Sequence, residues 1–222
     1  MTESLEFLTV DTGTQPTACI VWLHGLGADG HDFEPIVPEL DLPPDLSVRF
    51  LFPHAPVMPV TINGGLAMRA WYDFESLDFG LGENAEHIRA STERVTALID
   101  AQREGGIQAE RIIVAGFSQG GVIALHAGIG YRERLGGVLA LSTYLPLAEE
   151  LEARMGLASR GLPVFMAHGH HDEIIPISIG HQARNWLKDR GFALEAHDYP
   201  MGHSVCAEEI AAVSHWLRAR LG

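Results

Sequence analysis

The sequence predicts an α/β protein with a mostly parallel central sheet and helices on both faces. Three observations lead to this prediction: a chain long enough to bury a sizeable core, short apolar runs typical of strands, and helical patterns between them. The chain has 222 residues, of which 46% are hydrophobic and 20% charged, as in ordinary globular proteins. Strands that alternate with helices favour a parallel sheet. Because no repeat or linker divides the sequence, we expect a single domain over residues 1–222.

Six apolar runs are predicted to form the strands of this sheet. Each is short and rich in β-branched or aromatic residues, as buried strands are. In chain order the runs are ACIVWL from Ala18, VRFLFP from Val48, RIIVAGF from Arg111, GGVLALS from Gly136, LPVFMAHG from Leu162 and ALEAHDY from Ala193.

Helical patterns lie between or after these strands. In the stretch ENAEHIRASTERVTALIDAQREGG, apolar residues from Ala85 to Ile99 recur every three or four positions, which predicts an amphipathic helix. Gly105 and Gly106 mark its end, since glycine is common just after the last helical residue. We expect further helices at 119–129, 177–190 and 207–220.

Residues 53–82 interrupt the alternation. This stretch has the composition of an irregular loop, yet it contains large apolar side chains: Met68, Trp71, Tyr72, Phe74, Leu77 and Phe79. A loop of this length is usually functional or disordered, and its aromatic content argues against disorder. We therefore expect an insertion that borders the active site; the alternative is ordinary core beneath a loop.

The net charge and the cysteine content indicate which binding partners and which cellular compartment to expect. The formal net charge of −14 repels nucleic acids and anionic membranes, so we expect no nucleic-acid partner. The first ten residues, MTESLEFLTV, lack the basic and apolar segments of a signal peptide, and no apolar run is long enough for stable membrane insertion. These features predict a cytoplasmic protein in which Cys19 and Cys206 are free thiols, a disulfide being the alternative.

The strongest local motif is GFSQG, residues 116–120, at the end of one predicted strand and the start of a predicted helix. A G-x-S-x-G sequence at a strand–turn–helix junction is typical of the nucleophile turn of α/β-hydrolases, where the glycines leave room for a sharp bend. The motif predicts that Ser118 is a catalytic nucleophile.

A nucleophilic serine needs a general base, and the base needs an orienting acid. In α/β-hydrolases the acid and then the histidine follow the serine on loops after later strands. The loop HHDEIIP offers Asp172 and Glu173 as the acid, and PMGHSVCAEE offers His203 as the base. Asp198 is a rival acid, but it lies inside the predicted strand that leads to His203.

The stretch HGLGADG, residues 24–30, permits two interpretations. Gly25, Gly27 and Gly30 have the spacing of a dinucleotide-binding loop, which would indicate a nucleotide-dependent oxidoreductase. Such a site also needs an acidic residue at the end of the next strand, and LFPHAP offers none. We favour an oxyanion hole formed by the backbone amides of Leu26 and Gln119, because a hydrolase needs one donor from an early loop and one after the nucleophile.

Clustered histidines and acids raise the alternative of metal catalysis. No H-x-x-x-H or H-E-x-x-H motif is present, and a metal site would leave the serine motif unexplained. Asp29 and Asp32 also suit N-caps of a helix over FEPIVPEL. We therefore expect neither a metal nor another cofactor. The rival metal ligands are Asp29, His31, Asp32, His168, His170, His171 and Asp172.

Together the motifs HGLGADG, TINGG, RAWYD, GFSQGG, LSTYLPL, HGHHDEIIP and MGHSVCAEEI resemble one family. It is the small carboxylesterase, acyl-protein thioesterase and lysophospholipase-like group of α/β-hydrolases. The resemblance extends in order from about Ala18 to the C-terminus. It implies Ser118 as nucleophile, Asp172 as acid, His203 as base, and the Leu26 and Gln119 amides as the oxyanion hole.

The resemblance also implies that the loop around Trp71, with Tyr144 and Ile174, borders the acyl pocket. The apolar residues of segment 64–81 add Leu77 and Phe79 to this predicted pocket. The expected function is hydrolysis of short- to medium-chain carboxylic esters, with acyl thioesters and lysophospholipids as further candidates. Some members of the family form dimers. The competing hypothesis from another class is a ligand-binding protein without catalytic activity.

Overall fold

The computed structural model describes residues 4–76 and 78–222. The strands are β1 (Phe7–Asp11), β2 (Ala18–Leu23), β3 (Val48–Pro53), β4 (Val57–Val60), β5 (Leu66–Arg69), β6 (Ile112–Phe117), β7 (Gly137–Leu141), β8 (Pro163–Gly169) and β9 (Ala193–Tyr199). The α-helices are α1 (Ala85–Glu104), α2 (Gln119–Ile129), α3 (Ala148–Arg154), α4 (Ile177–Asp189) and α5 (Ala207–Leu221). Short 3-10 helices lie at Glu34–Leu40, Thr61–Asn63, Ala109–Arg111 and Leu157–Ser159.

Seven strands form the central sheet in the order β1-β3-β2-β6-β7-β8-β9. The six strands β3, β2, β6, β7, β8 and β9 are parallel to one another, and β1 pairs antiparallel with β3 at one edge. All six predicted strands are present, each to within one residue. The predicted α/β fold with a mostly parallel sheet is therefore confirmed. The edge strand β1 was not predicted.

Helices cover both faces of the sheet. Along β2, Val21 and Leu23 belong to the core layer beneath α1, α2 and α4. Ile20 and Trp22 belong to the opposite layer, which is closed by α5 and the Glu34–Leu40 helix. Because neighbouring strand residues point to opposite faces, one apolar run supplies both layers.

The predicted helices are also present. The helix that ends at Gly105 corresponds to α1, whose N-cap residue Asn84 accepts a hydrogen bond from the backbone N of His87 at 3.1 Å. Helices α2, α4 and α5 match the predicted ranges to within one residue. The short helix α3 was not predicted.

The segment 53–82 is more ordered than predicted. Strands β4 and β5 within it form an antiparallel hairpin. The turn between them contains Gly64 and Gly65, both with positive φ, at 67° and 79°, where a side chain would be strained. The prediction of a wholly irregular stretch is wrong for residues 57–69.

Two further expectations concern the cysteines and membrane-spanning segments. Cys19 and Cys206 are free thiols, as predicted, although Cys206 is only half-buried. Among the helices that the structure describes, none has the length and apolar character needed to cross a membrane.

Glu209 is a buried acid in the first turn of α5. Its side chain is fully buried, and within residues 4–76 and 78–222 neither carboxyl oxygen has a hydrogen bond of good geometry, although the Cys206 backbone is close enough to favour the charged form slightly. Burial raises the pKa of Glu209 from 4.5 to about 8. An acid whose pKa is higher in the folded state binds a proton on folding, so the free energy of unfolding falls as pH rises between these two values.

We expect Glu209→Gln to raise the melting temperature at pH 8 by several degrees and to flatten its dependence on pH between about 5 and 8, because the amide carries no charge to bury. Thermal unfolding followed by circular dichroism measures this. Glu208→Gln is the matched control, since Glu208 is the exposed neighbour in the same turn. A greater loss of stability for Glu209→Gln at pH 8 than at pH 5 would contradict the prediction.

Candidate active site

Ser118 lies in a sharp turn between β6 and α2. Its backbone has φ 55° and ψ −120°, a sparsely populated conformation for a residue with a side chain. A Cβ atom on Gly116 would lie 2.2 Å from the carbonyl oxygen of Gly120, and one on Gly120 would lie 2.5 Å from the carbonyl oxygen of His24. Both glycines of the G-x-S-x-G motif are therefore required by the close approach of the backbone.

Neighbouring strands hold this turn in place. The Ser118 amide donates a hydrogen bond to the carbonyl oxygen of Leu141 at 2.9 Å, at the end of β7. The Thr143 hydroxyl donates to the carbonyl oxygen of Ser118 at 2.7 Å. These bonds fix the predicted nucleophile at the carboxyl edge of the sheet, where ligand sites of open α/β folds form.

Asp172 and His203 follow the next two strands, β8 and β9, and meet at the same edge. Nδ1 of His203 lies 2.7 Å from Oδ2 of Asp172. The other carboxylate oxygen, Oδ1, accepts hydrogen bonds from the amides of Ile174 and Ile175 at 2.9 and 2.8 Å. The carboxylate is therefore oriented by its own loop before it contacts the histidine.

The surroundings of Asp172 keep it ionised. Burial alone would raise the pKa of Asp172, but hydrogen bonds from His168, from His203 and from the Ile175 amide outweigh it and hold the pKa well below its usual range. An ionised Asp172 accepts the Nδ1 proton of His203, which leaves the Nε2 lone pair free to act as a base.

His168 is a buried partner of this pair that the sequence did not reveal. Its Nε2 lies 2.8 Å from the carbonyl oxygen of Ile175 and 3.3 Å from Oδ2 of Asp172. His168 was considered only as a metal ligand, whereas it lies beneath the carboxylate and fixes the loop. Its place at the end of β8, four residues before Asp172, is the signal that could have indicated this.

The rival carboxylates lie apart from His203. Glu173 is exposed. Asp198 binds two residues of α4: it lies 2.9 Å from Nε2 of His181 and forms an ion pair with Arg184. Among the described carboxylates, Asp172 is the one in hydrogen-bond contact with His203.

The loop HGLGADG passes beside the predicted nucleophile. A Cβ atom on Gly25 would lie 3.6 Å from Cβ of Ser118, and Leu26 lines the same cavity as Ser118. Gly27 has φ 77°, and its amide donates to the carbonyl oxygen of Arg69 at 2.9 Å. Within the part of the chain that the structure describes, the amides of Leu26 and Gln119 donate to no other residue, as donors reserved for an oxyanion would.

The side chain of His24 holds this loop in place through contacts with two backbone groups. Its Nδ1 lies 2.7 Å from the carbonyl oxygen of Gly25, and its Nε2 accepts a hydrogen bond from the Ala55 amide at 3.0 Å. Both contacts fit one neutral tautomer with the proton on Nδ1. Burial lowers the pKa of His24 to about 4, so it stays neutral at physiological pH. No sequence motif predicts a role for the His24 side chain.

The side chain of Gln119 ties the aromatic segment to α2. Its Oε1 accepts a hydrogen bond from the Trp71 amide at 2.9 Å, and its Nε2 donates to the carbonyl oxygen of Tyr72 at 2.7 Å. The sequence motif predicts a role only for the backbone amide of Gln119. The side chain therefore couples the predicted oxyanion hole to the wall of the neighbouring cavity.

A largely apolar cavity of about 320 Å³ opens at Ser118 and His203. Three residues predicted to border the acyl pocket line it: Phe79, Tyr144 and Ile174. Tyr72 and Phe74, which belong to the predicted wall segment 64–81, also line it, as does Ile175, which was not predicted.

One of the described residues predicted for the pocket, Trp71, does not line this cavity. Trp71 is fully buried, and its indole N–H donates to the carbonyl oxygen of His24 at 2.8 Å. The prediction that Trp71 itself borders the pocket is therefore wrong: it packs beneath the loop, as a tryptophan whose N–H has a buried partner does. Leu77 lies outside the described residues.

Two tyrosines form the inner wall of the cavity. The hydroxyl oxygens of Tyr72 and Tyr144 are 3.0 Å apart, and burial raises the pKa of both phenols. The ring of Phe79 packs edge-on against Tyr144 with a centroid distance of 4.9 Å. The wall is thus neutral, with its polar atoms paired, which suits an apolar chain.

The proposed metal ligands divide into separate groups. Among the described residues, one set, Asp29, His31 and His54, has ligand atoms within 4.8 Å of one another. However, Nδ1 of His54 accepts the Gly30 amide at 3.0 Å, so neutral His54 carries its proton on Nε2 and has no free lone pair. Oδ1 of Asp29 accepts a hydrogen bond from the backbone amide of His31 and lies in hydrogen-bond contact with Nδ1 of the same residue. This donor set fits a hydrogen-bonded turn better than a metal site.

The helix after this loop begins later than predicted. It is the 3-10 helix Glu34–Leu40, with Phe33 at the N-cap and no side-chain capping bond. The expected N-caps at Asp29 and Asp32 are therefore wrong.

The dinucleotide interpretation lacks its structural context. In that motif the glycine loop opens an α-helix whose N-terminus binds the pyrophosphate, whereas here the next helix is a short 3-10 helix. A Cβ atom on Gly30 would lie 2.3 Å from the carbonyl oxygen of Phe52. Gly30 is thus required by packing against β3 rather than by a phosphate.

Comparison with known proteins identifies the family of the chain. Residues 6–221 match the family model described as phospholipase/carboxylesterase. Acyl-protein thioesterase 1 of Neurospora crassa is 36% identical, over 96% of this chain and 91% of its own length. The crystal structure of Arabidopsis thaliana SOBER1 is 32% identical with a TM-score of 0.86, over 92% of this chain and 99% of that chain. Zea mays acyl-protein thioesterase 2 is 28% identical with a TM-score of 0.86, over 98% and 99%.

The family model spans nearly the whole chain, and the relatives are similar over more than nine-tenths of it. The fold, the serine turn and the order of the motifs agree with that assignment. The chain belongs to the phospholipase/carboxylesterase family of α/β-hydrolases and is a carboxylic ester hydrolase.

Proposed function

We propose that this protein hydrolyses acyl esters and acyl thioesters through an acyl-enzyme on Ser118. The observation that carries the proposal is that Ser118, His203, Leu26 and Gln119 line one apolar cavity, with Asp172 bound to Nδ1 of His203. This set supplies a candidate residue for each element that acyl transfer needs.

The proposed chemical steps assign one role to each of these residues. Nε2 of His203 takes the proton of the Ser118 hydroxyl as its oxygen attacks the substrate carbonyl carbon. The resulting oxyanion accepts hydrogen bonds from the Leu26 and Gln119 amides. His203 then returns the proton to the oxygen or sulfur of the leaving group as that bond breaks. Water, activated by the same histidine, releases the acyl group.

The cavity indicates what the acyl group is. Its aromatic and aliphatic lining favours an apolar chain, and each buried methylene contributes about 0.8 kcal/mol, or about fourfold in specificity. The names of the Neurospora crassa and Zea mays relatives support a thioester among the substrates. Lysophospholipids are a further candidate, since they present the same acyl ester.

A substrate series tests the proposal. Matched p-nitrophenyl esters and acyl thioesters of increasing chain length should show kcat/KM rising until the cavity is full. A fluorophosphonate probe, mapped by mass spectrometry, should label Ser118. Absence of both hydrolysis and labelling would contradict the proposal and favour the non-catalytic ligand-binding protein.

Phe79→Ala should move the chain-length optimum towards longer acyl groups. Phe79 and Tyr144 separate the main cavity from a second one of about 230 Å³ that Ile179 and Trp186 also line. Removing the Phe79 ring joins the two spaces, so that additional methylenes find an apolar surface. The measurement is kcat/KM across the ester series, and we expect the same direction of change for Leu77→Ala.

Leu81→Ala is the matched control for Phe79→Ala, because Leu81 is 71% exposed and lines neither cavity. Its chain-length profile should equal that of the parent. If Phe79→Ala lowers the melting temperature but keeps the parent profile, the segment is core and the acyl pocket lies elsewhere.

Chelation should leave the activity intact, because each step above is assigned to a side chain or backbone amide. Dialysis against EDTA followed by the ester assay measures this. A loss of activity that zinc restores would revive the metal interpretation and direct attention to Asp29, His31 and His54.

A further inference from the structure

His203 faces a second space in addition to the acyl cavity. An open groove of about 540 Å³ runs between the Glu34–Leu40 helix and the start of α5. The groove and the acyl cavity share three residues: Asp32, Phe117 and His203. The two spaces therefore meet at the base that handles the proton.

The chemistry indicates what must enter the groove. In the tetrahedral intermediate the oxyanion lies against the Leu26 and Gln119 amides, and the acyl chain extends into the apolar cavity. The leaving oxygen or sulfur must approach His203, which protonates it. The rest of the leaving group then extends on the His203 side, along Ser204 and Val205, which line the groove.

The groove is preformed. Its floor includes Phe33 and Ile36, both nearly buried, and Phe33 packs against Phe117 with ring centroids 5.7 Å apart. Its two walls are joined, since the Ser214 hydroxyl on α5 donates to the carbonyl oxygen of Leu40 and Arg218 pairs with Asp41. A rigid groove needs little reorganisation to bind a ligand.

The charge in the groove is of one sign. Two exposed carboxylates, Asp32 and Glu39, line it, and its described lining contains no lysine or arginine. Partial loss of solvent around the carboxyl group and the nearby Asp29 raise the pKa of Asp32, and no cation among the described lining residues compensates its charge. A cation placed there would gain from both carboxylates, whereas a phosphate next to the ester would be repelled.

We propose that the groove binds a basic peptide segment that flanks the acylated residue, with Asp32 and Glu39 as specificity determinants. This inference rests on the proposed function, because the peptide is the leaving group of the same reaction. The apolar floor contacts the stems of lysine or arginine side chains, and the two acids pair with their charged ends. A phosphocholine headgroup fits less well, since its phosphate lies nearer the ester than its cation.

The test uses three peptides of equal length, each with one cysteine that carries the same acyl chain. The peptides differ only in the residues that flank this cysteine, which are lysine in the first, glutamine in the second and glutamate in the third. We expect the parent to cleave the lysine peptide about fivefold more efficiently than the glutamine peptide, mainly through KM, as two exposed ion pairs would give. The ratio should approach one in about 0.5 M salt. Because each ratio compares two substrates of the same enzyme, general losses of activity cancel.

Variants separate the groove from the overall charge of the protein. The double variant Asp32→Asn with Glu39→Gln should bring the lysine-to-glutamine ratio close to one, and Glu39→Lys should favour the glutamate peptide. Glu104→Gln removes an exposed acid at the end of α1, away from the groove, and should keep the parent ratio. Thermal unfolding verifies that each variant is folded.

The outcomes are distinguishable from failure of the proposed function. Equal cleavage of all three peptides by the parent, or a ratio that survives the double variant, would overturn the groove proposal while ester hydrolysis stands. Cleavage of p-nitrophenyl esters with no cleavage of any peptide would also overturn it. Preference for lysophosphatidylcholine over the lysine peptide would assign the groove to a lipid headgroup instead. No hydrolysis of any acyl substrate would contradict the proposed function itself.

Discussion

Ser118→Ala should lower kcat for p-nitrophenyl ester hydrolysis by about four to six orders of magnitude, the loss seen when a serine hydrolase loses its nucleophile. The oxyanion donors and the cavity remain, so residual catalysis above the uncatalysed rate is expected. Fluorophosphonate labelling should disappear entirely. Melting temperature should change little, because the hydroxyl of Ser118 makes no hydrogen bond to another described residue.

Two other serines serve as controls for the nucleophile. Ser142 also has a positive φ, 46°, but it is fully buried and out of reach of a probe. Ser204 is exposed next to His203 and lines the groove, but it lacks the strained turn and the adjacent amides. Ser142→Ala and Ser204→Ala should both retain labelling. A fluorophosphonate adduct that maps to either one would refute the assignment of Ser118.

Much of the fold could be predicted because strands of a parallel sheet are buried on both faces. The run ACIVWL, for example, is continuous in apolar residues, and all six of its residues are buried in the structure. The edge strand β1 has no such pattern: its residues alternate between exposed and half-buried positions. Its pairing with β3 depends on contacts more than 35 residues away in the chain, which a local pattern does not record.

The hairpin β4–β5 was missed although one local signal was present. Asn63-Gly64 is a strong turn dipeptide, and it lies between the two strands. Pro53, Pro56 and Pro59 obscured the strand pattern, since proline is disfavoured inside sheets. A two-stranded ribbon tolerates Pro59 because one side of each strand has no ladder partner.

The nucleophile, acid and base could be proposed from motif order, but their supporting residues could not. His24, His168 and the side chain of Gln119 act through hydrogen bonds to backbone atoms of other loops. These hydrogen bonds depend on tertiary structure, so no local sequence pattern predicts them. Trp71 was misplaced for the same reason, since an aromatic residue in a loop can line a cavity or lie beneath it.

The two carboxylate oxygens of Asp172 have different hydrogen-bond partners. Oδ1 accepts the amides of Ile174 and Ile175, whereas Oδ2 faces Nδ1 of His203. In an asparagine at this position the amide oxygen would stay with the two backbone donors. The NH₂ group would then occupy the Oδ2 position and donate to Nδ1 of His203. The proton of a neutral imidazole would thus be forced onto Nε2, where it prevents His203 from accepting the Ser118 proton.

We therefore expect Asp172→Asn to lower kcat by about 10³- to 10⁴-fold with little change in KM, because the histidine is held in the wrong tautomer while the acyl cavity is unaltered. Glu173→Gln is the matched control: Glu173 is the exposed neighbour, and its variant should keep nearly full activity. Because hydrogen bonds hold the pKa of Asp172 well below its usual range, the carboxylate stays ionised throughout the assay range, and the contrast between the variants should persist from about pH 6 to 9. Steady-state kinetics on one p-nitrophenyl ester measures both variants. Equal losses for the two would mean that Asp172 does not orient His203, and that the 2.7 Å contact between them has no catalytic role.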